Sequence, residues 1–201
     1  MSDISYKWLK DRFDKKVILE DDEWEDFSNC LKPVEIKKKH HYLKVGNFTN
    51  KIGFIKKGIL AAIEVKEDGS KLVHYFYHLP SCPIVTLYES LITNTPNIMT
   101  IEAITDCELV EAKNEDLLKI YKKYPRFDKL GRAIAEDHYF FNKYRINAFQ
   151  EKEAKERYDD FIKDTGELIL NVPQHMVASY LGISQYTLSK IKGKKVFFTN
   201  S

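Results

Sequence analysis

The segment from Pro173 to Lys192 constrains the fold more than any other part of the chain. Apolar residues recur there at helical spacing in two short runs. Gly182 separates the runs and permits the left-handed backbone that ends a helix and turns the chain. Ser184 can then cap the second helix. The apolar anchors are Val177, Leu181, Ile183, Leu188 and Ile191, with the small Ala178 where the helices cross. This pattern predicts a helix-turn-helix.

In a helix-turn-helix, the outward side of the second helix carries the residues that meet DNA. We expect the recognition helix at about 184–192. Gln185 can pair with adenine and Lys190 can donate to guanine, while Thr187 and Lys192 suit phosphates. The candidate DNA-binding residues are Ser184, Gln185, Tyr186, Thr187, Ser189, Lys190, Lys192 and Lys194. An ordinary helical hairpin with a lysine-rich face is the alternative.

The distribution of charge supports an anionic partner for this end of the chain. The formal net charge is only +2, so the overall charge indicates nothing about partners. No Asp or Glu follows Asn171, whereas several lysines crowd the last stretch. A basic end on a near-neutral chain favours nucleic acid, although a solubilising tail has the same composition.

Short β-rich runs alternate with turn residues before about Tyr124. Asp68-Gly69 lies between two of them and is typical of a hairpin turn. Met99–Ile104 and Cys107–Val110 are interpreted as another strand pair. Many short strands at this spacing predict a small antiparallel barrel or roll.

The apolar period changes to that of a helix after Pro125. One apolar stripe contains Leu130, Ile134, Phe141, Tyr144 and Ala148, which we predict as the dimer-helix residues. A second stripe contains Ala135, Tyr139, Ile146 and Phe149. Two stripes on one helix suggest one side for the roll and another for a second copy of the chain. A single helix packed on one domain could show the same pattern.

Several function classes lack their sequence signals. The three cysteines are widely spaced and form no CxxC pair, so neither a metal site nor an iron–sulfur cluster is expected. We find no membrane-length apolar segment and no signal peptide, and expect a cytoplasmic protein. Neither a phosphate loop nor a catalytic motif is present, so we expect no catalytic residues and no enzyme.

Nearly the whole chain resembles the Crp/Fnr superfamily of bacterial regulators. The matching stretches are Phe54–Gly58, Ile101–Ala103, Cys107–Leu109, Glu156–Tyr158, Asn171–Pro173, Ala178–Ser184 and Thr187–Ser189. The resemblance implies an α+β fold with an N-terminal antiparallel β-roll, which is a jelly roll of the cyclic-nucleotide-binding type. A long dimerisation helix and a C-terminal winged helix would follow. The family's major-groove contacts fall here on Gln185, Tyr186 and Lys190.

The chain departs from this family in its phosphate-binding cassette. The matching stretch, Leu79–Ser90, has no Gly-Glu pair, and the arginine position falls near Asn97–Ile98. No arginine lies between Arg12 and Arg126, so a cyclic phosphate would lack its partner. A cyclic nucleotide is therefore not expected, and the effector stays unknown. An apolar or aromatic ligand could instead contact Tyr75, Tyr77, Tyr88 and Met99.

The DNA-binding end departs from the family as well. Too few residues follow Lys192 for a full wing, so we expect a short or truncated one, with Val196–Phe198 as a single strand. The expected domains are a sensor at 1–125, a dimerisation helix at 126–150 and a DNA-binding domain at 151–201. The predicted function is a homodimeric transcription regulator that binds double-stranded DNA and RNA polymerase and no membrane. The alternative is a ligand- or protein-binding module with a degenerate helix-turn-helix.

Overall fold

A computed structural model describes residues 6–166 and 168–196 of the chain. The helices are α1 Lys7–Asp14, α2 Asp21–Asn29, α3 Tyr88–Thr93, α4 Asn114–Lys123, α5 Pro125–Glu151, α6 Ala154–Thr165, α7 Leu168–Asn171, α8 Gln174–Leu181 and α9 Gln185–Val196. The strands are β1 Lys32–Ile36, β2 His41–Leu43, β3 Lys51–Lys57, β4 Leu60–Val65, β5 Lys71–Tyr77, β6 Ile84–Val85, β7 Thr100–Ala103 and β8 Cys107–Lys113.

The strands form two antiparallel sheets that face each other as a roll. Sheet I has the order β1-β8-β3-β6, and sheet II has the order β2-β7-β4-β5. The predicted hairpin joins β4 to β5, and Gly69 has the positive φ of 79° that its turn requires. The Asp68 carboxylate accepts a hydrogen bond from the Ser70 amide and fixes this turn.

The predicted pairing of Met99–Ile104 with Cys107–Val110 is wrong. The two runs form β7 and β8, but β7 pairs with β2 and β4, whereas β8 pairs with β1 and β3. Between them, the chain crosses from one sheet to the other at Thr105 and Asp106. Local sequence indicates a turn at this point but does not say whether the next strand returns to the same sheet.

Each sheet has an apolar core on both of its faces. The core between the sheets contains Leu60 and Ile101, which are fully buried. The outer face of sheet I packs against α1, α2, α4 and the start of α5, where Phe27 and Phe127 contact each other with ring centroids 5.2 Å apart. The outer face of sheet II packs against α6, α8 and α9.

Helix α5 runs from Pro125 to Glu151, close to the predicted 126–150, and is about 40 Å long. Its first turns are anchored by Phe127 and Leu130, both buried in the core on sheet I. Leu130 is therefore enclosed within its own chain, and its role as a dimer-helix residue stays a prediction. Exposed apolar side chains follow along the helix at Tyr139, Phe140, Tyr144, Ile146 and Phe149.

The C-terminal end differs from the predicted wing at one residue. Val196 is the last residue of α9, so it lies in a helix and not in a strand. Phe197 and Phe198, the rest of that predicted strand, lie outside the described residues. Across 6–166 and 168–196, no helix combines the length and the apolar content needed to span a bilayer.

Candidate nucleic-acid interface and effector cavity

Helices α8 and α9 form a helix-turn-helix. Gly182 caps α8 in the left-handed conformation, with φ 65° and ψ 37°. The amide of Ile183 donates to the carbonyl of Ala178 and closes the turn. The Ser184 hydroxyl then accepts a hydrogen bond of 3.0 Å from the Thr187 amide, which caps α9 as the sequence predicts.

The apolar anchors hold the two helices together. Val177 and Leu188 are each only 1% exposed, and Leu181 and Ile191 are also buried. Ala178 is buried where its small side chain lets the helices approach, and Ile183 is partly buried in the turn. The inward positions predicted from the sequence therefore share one core.

The opposite side of α9 is polar and open to solvent. Gln185, Ser189 and Lys190 are exposed, and Tyr186 is 69% exposed. The Lys190 ammonium lies 4.5 Å from the centroid of the Tyr186 ring, which is a cation–π contact. This face therefore presents hydrogen-bonding groups and a positive charge side by side.

The remaining predicted contact residues lie at the edges of this face. Thr187 and Lys192 are half-buried. The hydroxyls of Ser184 and Thr187 are 2.9 Å apart and hydrogen-bond to each other, so both are already engaged in the cap. The side chain of Lys194 lies outside the described residues.

Two arginines that the sequence did not single out as site residues hold the turn in place. Arg157 donates from Nε to the carbonyl of Leu181 at 3.2 Å, and its guanidinium lies 5.2 Å from the centroid of the Phe149 ring. Arg145 packs on Tyr180 with its guanidinium 4.1 Å from the ring centroid. Their partners are distant in sequence, so no local pattern could have found these contacts.

Helix α8 is also hydrogen-bonded to the edge of sheet II. The Ser179 hydroxyl accepts a bond of 3.0 Å from the Val73 amide and donates one of 3.0 Å to the carbonyl of Lys71. Both backbone groups belong to β5, the last strand of that sheet. Arg145 also donates to the carbonyl of His74 on the same strand. The helix-turn-helix is thus attached to the roll by polar contacts as well as by the shared core.

A cavity of about 570 Å³ lies between the roll and α5. All four predicted effector residues, Tyr75, Tyr77, Tyr88 and Met99, are on its wall. The roll and α1 add further apolar residues: Phe13, Ile52, Phe54, Ile84 and Leu87. A cavity of this size and lining is typical of sites for small molecules.

Helix α5 supplies polar lining that the sequence interpretation missed. Asp128, Arg132 and His138 lie on the cavity wall, together with Glu89 of α3. Arg132 lies on the cavity wall but belongs to α5, so the absence of arginine from the roll does not leave the cavity without a guanidinium. The His138 ring packs against Tyr75, with the centroids 5.7 Å apart.

The region that corresponds to the phosphate cassette is closed by its own hydrogen bonds. The Thr49 hydroxyl donates to the side-chain oxygen of Asn97 at 2.7 Å, and the side-chain NH2 of Asn97 donates to the carbonyl of Lys44 at 2.9 Å. The Ser90 hydroxyl accepts from the Thr49 amide and donates to the carbonyl of Thr95. These buried polar groups are satisfied within the protein, so none of them needs a ligand.

No group of three or more His, Cys, Asp or Glu side chains that could hold a metal ion occurs in the described part of the chain. The three cysteines are free thiols, and Cys107 is buried.

No family model matches the sequence, and no curated protein matches it either. Solved structures do match the fold. FixK2 from Bradyrhizobium japonicum is 17% identical with a TM-score of 0.70, over 85% of this chain and 89% of FixK2. CLP, a c-di-GMP responsive global regulator from Xanthomonas campestris, is 15% identical with a TM-score of 0.66, over 87% of this chain and 91% of CLP.

The catabolite activator protein of Thermus thermophilus is 14% identical with a TM-score of 0.54, over 88% of this chain and 83% of that protein. Each of these likenesses covers at least 85% of this chain. The predicted fold is confirmed: the chain has the fold of these three proteins, an antiparallel β-roll followed by a long helix and a helix-turn-helix.

Proposed function

We propose that the protein is a homodimeric transcription regulator that binds double-stranded DNA with α9 in the major groove. The observation that carries this proposal is the division of α9 into two sides. Leu188 and Ile191 are buried, whereas Gln185, Ser189 and Lys190 are exposed and polar. A helix fixed on one side with free donors and acceptors on the other has what base-edge recognition requires.

The residues of α9 take different roles in this proposal. Gln185 and Lys190 read bases, because the amide can pair with adenine and the ammonium can donate to guanine. Ser189 lies between them on the exposed side, and the ring of Tyr186 supports the Lys190 ammonium. Thr187, Lys192 and Lys194 contact phosphates, which sets the register on the duplex.

A second copy of the chain completes the DNA-binding unit. The exposed apolar side chains Tyr139, Phe140 and Ile146 follow each other along α5, and burying them would favour a pair of such helices. Two recognition helices would then meet half-sites about 34 Å apart. In functional terms, we assign sensing to 1–125, dimerisation to 126–150 and DNA binding to 151–201.

We also propose that cyclic AMP is not the signal. The buried polar groups of the cassette region are occupied by one another, and the roll contributes no arginine to the cavity. A regulator of this kind carries out no catalysis. It would act in the cytoplasm, on chromosomal DNA and through contact with RNA polymerase.

The first test is selection of binding sites from a pool of random duplexes, followed by fluorescence anisotropy with the enriched duplex. Lys190→Ala and Gln185→Ala should each weaken binding by about 1–3 kcal/mol if they contact bases. Lys122→Ala, which removes an exposed lysine from α4, is the matched control and should bind like wild type. Affinity should also fall steeply with salt.

Equal, very weak and salt-insensitive binding by wild type and both variants would contradict DNA binding. It would favour the alternative, in which the helix-turn-helix is a surface for a ligand or protein partner. Dimerisation is tested separately by sedimentation, where Phe140→Asp should shift the protein towards monomer. Lys143→Asp changes another exposed residue of α5 and is the control for the introduced charge.

A further inference from the structure

The effector cavity is lined mainly by aromatic and aliphatic side chains. Tyr75 and Tyr77 lie next to each other on its wall, with ring centroids 6.0 Å apart. Phe54 and Phe127 add further rings. At about 570 Å³, the cavity has room for a molecule with one or two rings. Such walls bind flat apolar molecules through burial and ring stacking.

The charges on the wall disfavour an anion. Glu89 and Asp128 each contribute a carboxylate, and Arg132 contributes the one guanidinium among the described lining residues. All three side chains are exposed, so water and salt screen their charges. A negatively charged ligand would still meet more negative than positive charge there and would lose hydration against the apolar part of the wall. The net charge of this wall is negative, whereas a phosphate site is positively charged.

Several polar groups on the wall are already paired. The Tyr75 hydroxyl donates to the Asn142 side chain at 2.9 Å, and the Tyr77 hydroxyl donates to the carbonyl of Thr86 at 3.1 Å. The ring nitrogens of His138, like the hydroxyls of Tyr88 and Tyr121, make no hydrogen bond within the described residues. Burial lowers the pKa of His138, which keeps the imidazole neutral. A neutral imidazole has one donor and one acceptor to offer.

From this volume, charge balance and unpaired imidazole, we propose that the cavity binds an uncharged aromatic molecule with a hydrogen-bonding group that faces His138. Only one part of the inference rests on the proposed function, namely that this molecule is the signal of the regulator. Binding itself needs no DNA and can be measured without it.

Two dyes that share one skeleton test the proposal. N-phenyl-1-naphthylamine is uncharged and has one N–H donor, whereas 1-anilinonaphthalene-8-sulfonate carries an added sulfonate. Both fluoresce more strongly in apolar surroundings, so titration of the full chain gives their affinities. The neutral dye should bind once per chain and about tenfold or more tighter than the sulfonate, since tenfold corresponds to about 1.4 kcal/mol.

Variants locate the bound dye. Ala135→Phe places a ring into the cavity from α5 and should weaken the neutral dye about tenfold or more. Glu136→Phe adds the same ring to the next residue, which is exposed and off the cavity wall, and should leave affinity unchanged. Ile98→Trp, at an exposed position on the wall, is a second blocking variant if Ala135→Phe does not fold. His138→Phe keeps a ring but removes the hydrogen bonds and should weaken the dye about threefold to tenfold.

Equal binding of both dyes, or unchanged binding to the blocking variants, would overturn the proposal. It would also be overturned if only the monomeric Phe140→Asp variant bound the neutral dye, because a second copy would then fill the space. DNA binding measured on the same samples separates the two ideas. A protein that binds DNA but no neutral dye refutes this inference alone, and one that binds the dye but no DNA refutes only the proposed function.

Discussion

Replacing Gly182 by alanine tests how the helix-turn-helix is held. The residue has a φ of 65°, and a left-handed conformation costs an L-residue other than glycine about 1–2 kcal/mol. A Cβ at this position would lie 2.8 Å from Cε1 of Phe149, where about 3.5–4.0 Å is normal. The Phe149 ring must therefore move away from the Arg157 guanidinium. Overpacking a core costs about 1–3 kcal/mol, and because this ring is 45% exposed we expect the lower end, about 1 kcal/mol. We expect a total loss of about 2–3 kcal/mol in the free energy of unfolding.

Gly69→Ala is the matched control. Gly69 also has a positive φ, at 79°, but no heavy atom lies within 4 Å of the position that its Cβ would take. It should therefore show only the backbone cost of about 1–2 kcal/mol. The effect of the added methyl on the unfolded chain is common to both variants and cancels in the difference. Urea denaturation measures both free energies of unfolding. If Gly182→Ala loses no more stability than Gly69→Ala, the contact with the Phe149 ring adds nothing and the reasoning is refuted.

Two further predictions concern the contact between the helix-turn-helix and β5, and a buried histidine. Ser179→Ala removes hydrogen bonds to two backbone groups of β5. The loss should lower the free energy of unfolding by about 1–3 kcal/mol and Tm by several degrees in a thermal melt. An unchanged Tm would contradict this prediction. Burial lowers the pKa of His78, so the unfolded chain takes up its proton first and stability is lost as pH falls below about 6.5. In urea titrations between about pH 7 and 5, His78→Gln should make the free energy of unfolding depend less on pH, whereas the variant of an exposed histidine, His175→Gln, should keep the dependence. If the free energy of unfolding changed with pH equally in both variants, His78 would not be its source.

The local parts of this fold were predictable because short-range spacing encodes them. Val177 and Leu181 on one helix, and Leu188 and Ile191 on the next, identify their buried sides without any knowledge of the partner. Gly182 marks the turn for the same reason, since few other residues adopt its backbone conformation. The hairpin at Gly69 was found by the same kind of argument.

The long-range parts were not predictable from single residues. No local feature of the sequence indicates that the chain changes sheets at Thr105, so the predicted pairing of β7 with β8 was wrong. Arg132 and His138 lie on a helix whose apolar stripes suggested dimerisation, and only the packing of that helix over the roll brings them to the cavity. Arg145 likewise reaches Tyr180 and β5 across a large separation in sequence.

The core shared by sheet II and the helix-turn-helix bears on the construction of hybrid regulators. Ala61, Ile63, Val73 and Phe76 face α6, α8 and α9 and are almost fully buried there. Joining those helices to another sensor would leave these four side chains in water and would remove the packing of the helix-turn-helix core against sheet II. An exchange of operator specificity is therefore better made by substitution on the exposed side of α9 than by transplanting the C-terminal helices.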